Sequence, residues 1–239
     1  TAPPSATTTA TGTGTRRRRV TLANAFCAEP VVSGYTPTGG NVGVYVEISG
    51  SNFDRDATVA LGGGPARFVN RRNPELISRQ VEAGDGVGSL VVTNRCGHSV
   101  TAAGEFRTIE LTMQRIVLNQ GIPSVGLAAE KSTLVQHYLS RNRASRATDA
   151  IEIDQAVITF SANGNEETLT IPYNRSAPTI EGAPTATMLR SIDRSVNVVA
   201  TPSISGDAVQ VRTVLKRFGK TVTEGATTRA IRPNRPLRV

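Results

Sequence analysis

Short apolar runs alternate with turn residues along most of the chain. "NVGVYVEISGSNF" places Val42, Val44, Val46 and Ile48 at every second position, the period of a half-buried strand. Before it, "EPVVSGYTPTGG" reads as a strand running into a Pro/Gly turn. After it, "ATVALGGG", "ARFVN", "LISRQVE", "GSLVVTN" and "HSVTAAGEF" follow at short spacing. About seven short strands separated by turn signals predict a compact β-domain over residues 29–108. The same style continues over residues 109–228. "IELTMQRIVLNQG" alternates through Ile109, Leu111 and Met113, and "KSTLVQHYLSR" and "IEIDQAVITF" read as strands. "ITFSANGNEETLTI" is a hairpin, with Asn163-Gly164 suited to a type I′ turn. "RSVNVVATP" and "AVQVRTVLKRFGKTVTEG" supply three more strands, the last two joined near Phe218-Gly219. A helix across "STLVQHYLSRNRASR" would lack a good amphipathic stripe. The expected architecture is all-β, two tandem sandwiches flanked by an extended N-terminal arm (residues 1–28) and a basic tail (residues 229–239). "EFRTIEL" holds no Gly/Ser linker, so the first domain is expected to run directly into the second and hold it fixed.

Composition agrees with short strands. Aromatic residues make up 4% of the chain, Trp is absent, and 22 Gly and 13 Pro supply turns. No apolar run reaches the length of a membrane-spanning helix. The chain starts at Thr1 without a basic-then-apolar leader, which suits either a processed chain or an excised piece.

Charge changes the picture more. The net charge is +8, but Arg16, Arg17, Arg18 and Arg19 account for half of it and Arg229, Arg232, Arg235 and Arg238 for the rest. The body between is neutral. A nucleic-acid-binding domain carries its positive charge on a face of the fold, so this distribution argues against one. Few aromatics argue against base stacking. In the arm, Thr alternates with Ala or Gly up to Thr15, and Val20, Leu22, Asn24 and Phe26 alternate beyond the arginines. The stretch reads either as a solvated tail or as a strand awaiting a partner. In the tail, arginines recur every third residue around Pro233 and Pro236, which would line one edge of a polyproline II helix.

"SGYTPTGG", "VYVEISGSNF", "ATVALGGGPA", "GDGVGSLVVTNRCGHSV" and a final "AGEF" together resemble the IPT/TIG immunoglobulin-like family. Gly50, Asn52, Phe53, Gly62, Ala66, Gly88 and Phe106 stand at the matching points. The resemblance implies an immunoglobulin-like sandwich with a spacer, adhesive or binding role and no catalysis. Residues 109–228 resemble, more loosely, immunoglobulin-like modules of large secreted bacterial proteins. Counting alone leaves Cys27 and Cys96 as either one disulfide or two unrelated thiols. An immunoglobulin-like sandwich brings the start of its first strand near the turn between its last two. The resemblance thereby implies a Cys27–Cys96 disulfide, an oxidising compartment and an arm pinned at its base.

Catalytic patterns fare poorly. Only His98 and His137 could serve as a histidine base, and each reads as structural. No Gly-x-Ser-x-Gly elbow appears, and "GGGPAR" and "GDGVG" lack the Gly-Lys-Ser/Thr of a phosphate loop. Asp54 with Asp56, and Glu152 with Asp154, pair carboxylates at alternate positions. Asp54 and Asp56 are weak metal candidates because the fuller oxygen-ligand set is missing, and a solvated turn is the plainer reading. Asn174-Arg175-Ser176 is a glycosylation sequon. The expectation is a non-enzymatic, cofactor-free, extracellular or cell-surface protein. Its leading form is a structural subunit that polymerises through the arm, with Val20, Leu22 and Phe26 adding a strand to a neighbour and the arginines pairing with acidic patches. The alternative is an adhesive or carbohydrate-binding module with cell-surface proteins or glycans as partners. Nucleic-acid binding through the arginines ranks below both.

Overall fold

The computed structural model describes residues 27–119, 132–142, 151–180, 183–190, 192–204 and 208–230. The first sandwich comprises β1 (Val31–Thr36), β2 (Gly39–Asn41), β3 (Tyr45–Ser51), β4 (Thr58–Ala60), β5 (Arg67–Phe68), β6 (Asn70–Asn73), β7 (Leu76–Gln80), β8 (Val87–Gly88), β9 (Val91–Thr93), β10 (Ser99–Thr101) and β11 (Phe106–Ile109). Its two principal sheets run β1-β3-β7-β6 and β10-β9-β4-β5. A small third sheet pairs β11 parallel to β2 and antiparallel to β8.

The alternation in β3 decides which side is core. Val46 and Ile48 turn inward and are fully buried, while Tyr45 and Glu47 face outward. Opposite them pack Val59, Leu61, Leu90, Val92 and Phe106. The "GSNF" stretch closes one end of this core. Asn52 takes a left-handed φ of 59° and donates its amide to the Glu29 carbonyl at 2.9 Å, and Phe53 drops into the core. The two Gly-rich runs are turns that touch back to back. Gly62 has φ +56°, and a Cβ there would stand 2.0 Å from the Gly86 carbonyl oxygen, so only glycine fits.

One charged pair is buried in this sandwich. Arg79 grips Asp85 with two parallel hydrogen bonds of 2.8 and 2.7 Å. Asp85 also accepts the Glu82 backbone N–H at 2.8 Å, and Arg79 donates to the Pro65 carbonyl at 3.3 Å. The pair therefore ties both Gly-rich turns to β7.

The second sandwich comprises β12 (Leu111–Asn119), β13 (Thr133–Arg141), β14 (Glu152–Ala162), β15 (Asn165–Ser176), β16 (Val196–Ala200), β17 (Ala208–Arg217) and β18 (Lys220–Ala230). Its sheets run β12-β13-β16 and β15-β14-β17-β18. Ile116, Leu118, Val135, Leu139, Ile158, Phe160, Val198, Val211 and Leu215 fill the space between them. Within the segment that could have been read as a helix, Thr133–Arg141 form β13, a central strand paired on both sides. Burial on both faces explains why its sequence shows neither a helical stripe nor a clean alternation. The β14–β15 turn has positive φ at Asn163 and Gly164, as its sequence demands. The β17–β18 turn has the same geometry with Phe218 in the first position, at φ 45°.

β18 extends through Ala230, so Arg229 belongs to a strand rather than opening the tail. Its guanidinium donates to the Leu118 carbonyl of β12. That contact crosses between the edge strands of the two sheets.

Candidate functional site

Three places on the molecule gather residues with interaction chemistry. The first is the root of the arm. Cys27 and Cys96 are joined by a disulfide, with Cα atoms 6.3 Å apart. Cys96 lies in the turn between β9 and β10. That turn is organised by Asn94, whose Oδ1 accepts the Cys96 and His98 backbone N–H groups at 3.0 and 2.9 Å. Asn94 Nδ2 donates to the Ala28 carbonyl at 3.0 Å, a second tie to the chain entering β1. Among the described residues β1 and β10 are edge strands of the two sheets. The disulfide thus fixes the arm's root where both sheets end. Asp54 belongs to the same corner. Its Oδ2 accepts the Arg95 N–H at 2.8 Å and its Oδ1 the Asp56 N–H at 3.1 Å. These bonds give Asp54 a turn-organising task, and among the described residues no group of three or more His, Cys, Asp or Glu is placed to hold a metal ion.

The arm residues Arg16, Arg17, Arg18, Arg19, Val20, Leu22 and Phe26 lie outside the described residues, as do Arg232, Arg235 and Arg238. Asn174 falls in β15.

The second place is the junction between sandwiches. Glu110 alone separates β11 from β12. Asn41, fully buried at the end of β2, accepts the Glu152 backbone N–H at 2.8 Å and donates to the Glu152 carbonyl at 3.0 Å. Glu152 pairs with Arg217, and Asp154 accepts the Phe218 N–H at 2.7 Å. The alternating carboxylates Glu152 and Asp154 are therefore spent on the β17–β18 turn. Gly43 permits the closest approach. A Cβ there would meet the Arg217 side chain and carbonyl at 2.6 Å. Lys220 reaches back to Glu82 at 3.6 Å.

The third place adjoins the junction. The Tyr45 and Phe218 rings meet edge to face, centroids 5.4 Å apart, and the Arg217 guanidinium sits 4.0 Å from the Phe218 centroid. Beside them a hollow of about 190 Å³ is lined by Tyr45, Arg67, Phe68, Asn70, Ser78, Gln80 and Glu82, with Arg79 beneath. A separate cleft of about 360 Å³ lies between Tyr35, Thr38, Glu105 and Arg107. There burial pushes the Tyr35 phenol above its ordinary range, an effect that Arg107 opposes.

Sequence reading expected the direct run from one sandwich into the next at "EFRTIEL" but missed the cross-contacts at the junction and the aromatic cluster. Nothing local links residues 41–45 with residues 152–218. The one available signal was Phe218, a bulky residue standing before Gly219 where such a turn favours Asn or Gly.

His137 is a core group. It is fully buried in β13, with Nδ1 3.1 Å from the Val196 carbonyl and Nε2 3.1 Å from Thr213 Oγ1. A carbonyl only accepts, so Nδ1 carries the proton and Nε2 accepts from the threonine hydroxyl. Burial lowers its pKa to about 4, with the Val196 bond opposing the shift.

Residues 30–108 match the family model described as the IPT/TIG domain. No curated protein matches the sequence. Solved structures with a similar arrangement include one with a xylogluco-oligosaccharide, at 20% identity over 55% of this chain and 36% of that one, TM-score 0.30. A tetra-tandem repeat from the extending region of a large adhesion protein matches at 11% identity over 79% and 45%, TM-score 0.33. A two-domain fibronectin type-III segment of chicken tenascin matches at 11% identity over 84% and 96%, TM-score 0.31. The chain thus spans less than half the length of the first two. Scores this low leave function to the chain's own chemistry.

Proposed function

With residues 30–108 an IPT/TIG domain, we propose that the chain is a non-enzymatic structural protein outside the cell or on its surface, assembling with copies of itself through the N-terminal arm. The observation that carries this reading is the Cys27–Cys96 disulfide. Such bonds persist in oxidising compartments. This one holds Cys27, the residue that follows a strand-patterned, arginine-bearing sequence, at the end of the sandwich where β1 and β10 are edge strands. An edge strand offers unpaired backbone groups, and an arm that adds to a neighbour's edge makes a head-to-tail contact that need not close into a ring. The bonds at the junction favour a unit that transmits orientation from one copy to the next.

The test compares the full chain with a chain lacking residues 1–26, which keeps Cys27, by size-exclusion chromatography and negative-stain imaging. The full chain is expected to form extended assemblies and the shortened chain to remain monomeric. A monomeric full chain, or assembly that survives the truncation, overturns the reading.

A further inference from the structure

Three aromatic rings protrude on one side of the molecule. Among the described residues the exposed aromatic side chains are Tyr45, Phe68 and Phe218, at 44%, 77% and 51% exposure. Tyr45 and Phe68 line the same hollow, and Phe218 abuts Tyr45. In a chain with ten Phe and Tyr residues and no Trp, this gathering spends scarce aromatic surface on solvent. Phe218 does so in a left-handed backbone conformation that bulky side chains avoid. The equivalent hairpin at Asn163-Gly164 shows the ordinary solution.

The floor between the rings is polar. Gln80 stands opposite Tyr45 in register, and Ser78 opposite Asn70, so two amides and a hydroxyl lie on the outer face of β3, β7 and β6. The charges around it are engaged within the chain, with Arg67 and Lys220 sharing one carboxylate. Arg67 lies 3.0 Å and Lys220 3.6 Å from Glu82, and Arg217 pairs with Glu152.

We propose that this hollow binds a neutral saccharide, one pyranose ring seated between Tyr45 and Phe68 and the next running toward Phe218. A pyranose has an apolar C–H face that stacks on an aromatic ring, and an edge of hydroxyls that both donate and accept. The Asn70 amide, the Ser78 hydroxyl and the Gln80 amide, whose Nε2 also donates to the Gly43 carbonyl at 3.1 Å, match that edge. A protein hot spot would want an apolar, fully desolvated floor. An acidic polymer or nucleic acid would want cations not already paired. The inference stands apart from assembly through the arm.

The test is affinity electrophoresis of the full chain through gels containing neutral polysaccharides of glucose, mannose, galactose, xylose or N-acetylglucosamine units, with heparin and polygalacturonate as acidic controls. At least one neutral polymer is expected to retard the chain, insensitively to added salt. Phe68→Ala should weaken that binding about tenfold, the loss of one aromatic contact, and Phe68→Trp should retain it. Removing residues 1–26 should leave it unchanged, which separates this site from the assembly reading. No retardation by any neutral polymer overturns the proposal, as does binding confined to the acidic ones. Binding that survives Phe68→Ala combined with Tyr45→Ala also overturns it. So does a change of oligomeric state in Phe68→Ala, which would make the patch an interface between copies.

Discussion

Asn41 satisfies both backbone groups of Glu152, a residue 111 positions away. Its amide acts as a one-residue strand that stitches the first sandwich to the second. Asn41→Ala leaves a donor and an acceptor without partners at a buried site, which costs about 1–3 kcal/mol per group. Urea denaturation should show that loss, and hydrogen exchange should show the Glu152 amide losing protection. Asn41→Asp keeps the acceptor but removes the donor to the Glu152 carbonyl, so it is expected to be destabilising too. Unchanged exchange at Glu152 in Asn41→Ala would remove Asn41 from this role.

Arg79 and Asp85 carry a different risk. Both side chains are essentially excluded from solvent, at 2% and 0% exposure. Removing one partner strands the other charge, at a cost of about 3–5 kcal/mol. Asp85→Ala and Arg79→Ala should each lower the denaturation midpoint strongly. Replacing both by apolar residues of similar volume should recover much of the loss, because the stranded charge is then gone. A double variant as unstable as the single ones would show that the pair matters chiefly as an anchor for the Gly-rich turns.

How far the sequence foretold this molecule depends on the range of each interaction. The period of two in β3 predicts Val46 and Ile48 inside, and they are inside, because a strand's alternation is local. Asn163-Gly164 predicts its turn for the same reason. The disulfide needed a fold to bring residues 69 apart together, and the resemblance to an immunoglobulin-like family supplied it. Arg229 looked like tail because its neighbours Arg232 and Arg235 share its spacing, yet it lies in β18 and bonds to β12. That Asn41, Glu152 and Phe218 share one junction could not be read. Their meeting depends on how two distinct hydrophobic cores abut, and no periodicity records that.

The Cys27–Cys96 bond closes a loop with a sequence separation of 69. A loop that long is worth about 4 kcal/mol in the chain-entropy account, through restriction of the unfolded chain. Reduction, or Cys27→Ser with Cys96→Ser, should therefore lower the melting temperature of the first sandwich. Assembly is expected to weaken as well, because the arm's root is freed. If reduction leaves the melting temperature unchanged while Asn94→Ala lowers it, the hydrogen bonds to Ala28 and Cys96 hold the corner without the disulfide.

His137 makes the second sandwich acid-sensitive. Its folded pKa is about 4, below the ordinary 6.5, because burial disfavours the imidazolium. Above pH 6.5 both folded and unfolded chains hold it neutral, and its contribution is complete. Between 6.5 and 4 the unfolded chain takes up a proton that the folded chain refuses, so stability falls as pH falls. By pH 4.5 the loss approaches about 2–3 kcal/mol. Carboxylates titrate nearby in pH, so the measurement is a difference between two proteins. Urea midpoints at pH 7.5 and 4.5 should fall further for the natural chain than for His137→Gln, which cannot take up the proton. Imidazole nitrogen chemical shifts should meanwhile report a neutral ring at pH 5.5. Thr213→Val separates burial from bonding: it removes the hydroxyl that Nε2 accepts from, which destabilises the neutral ring at pH 7.5. An equal pH dependence in the natural chain and His137→Gln would assign the acid sensitivity to other groups.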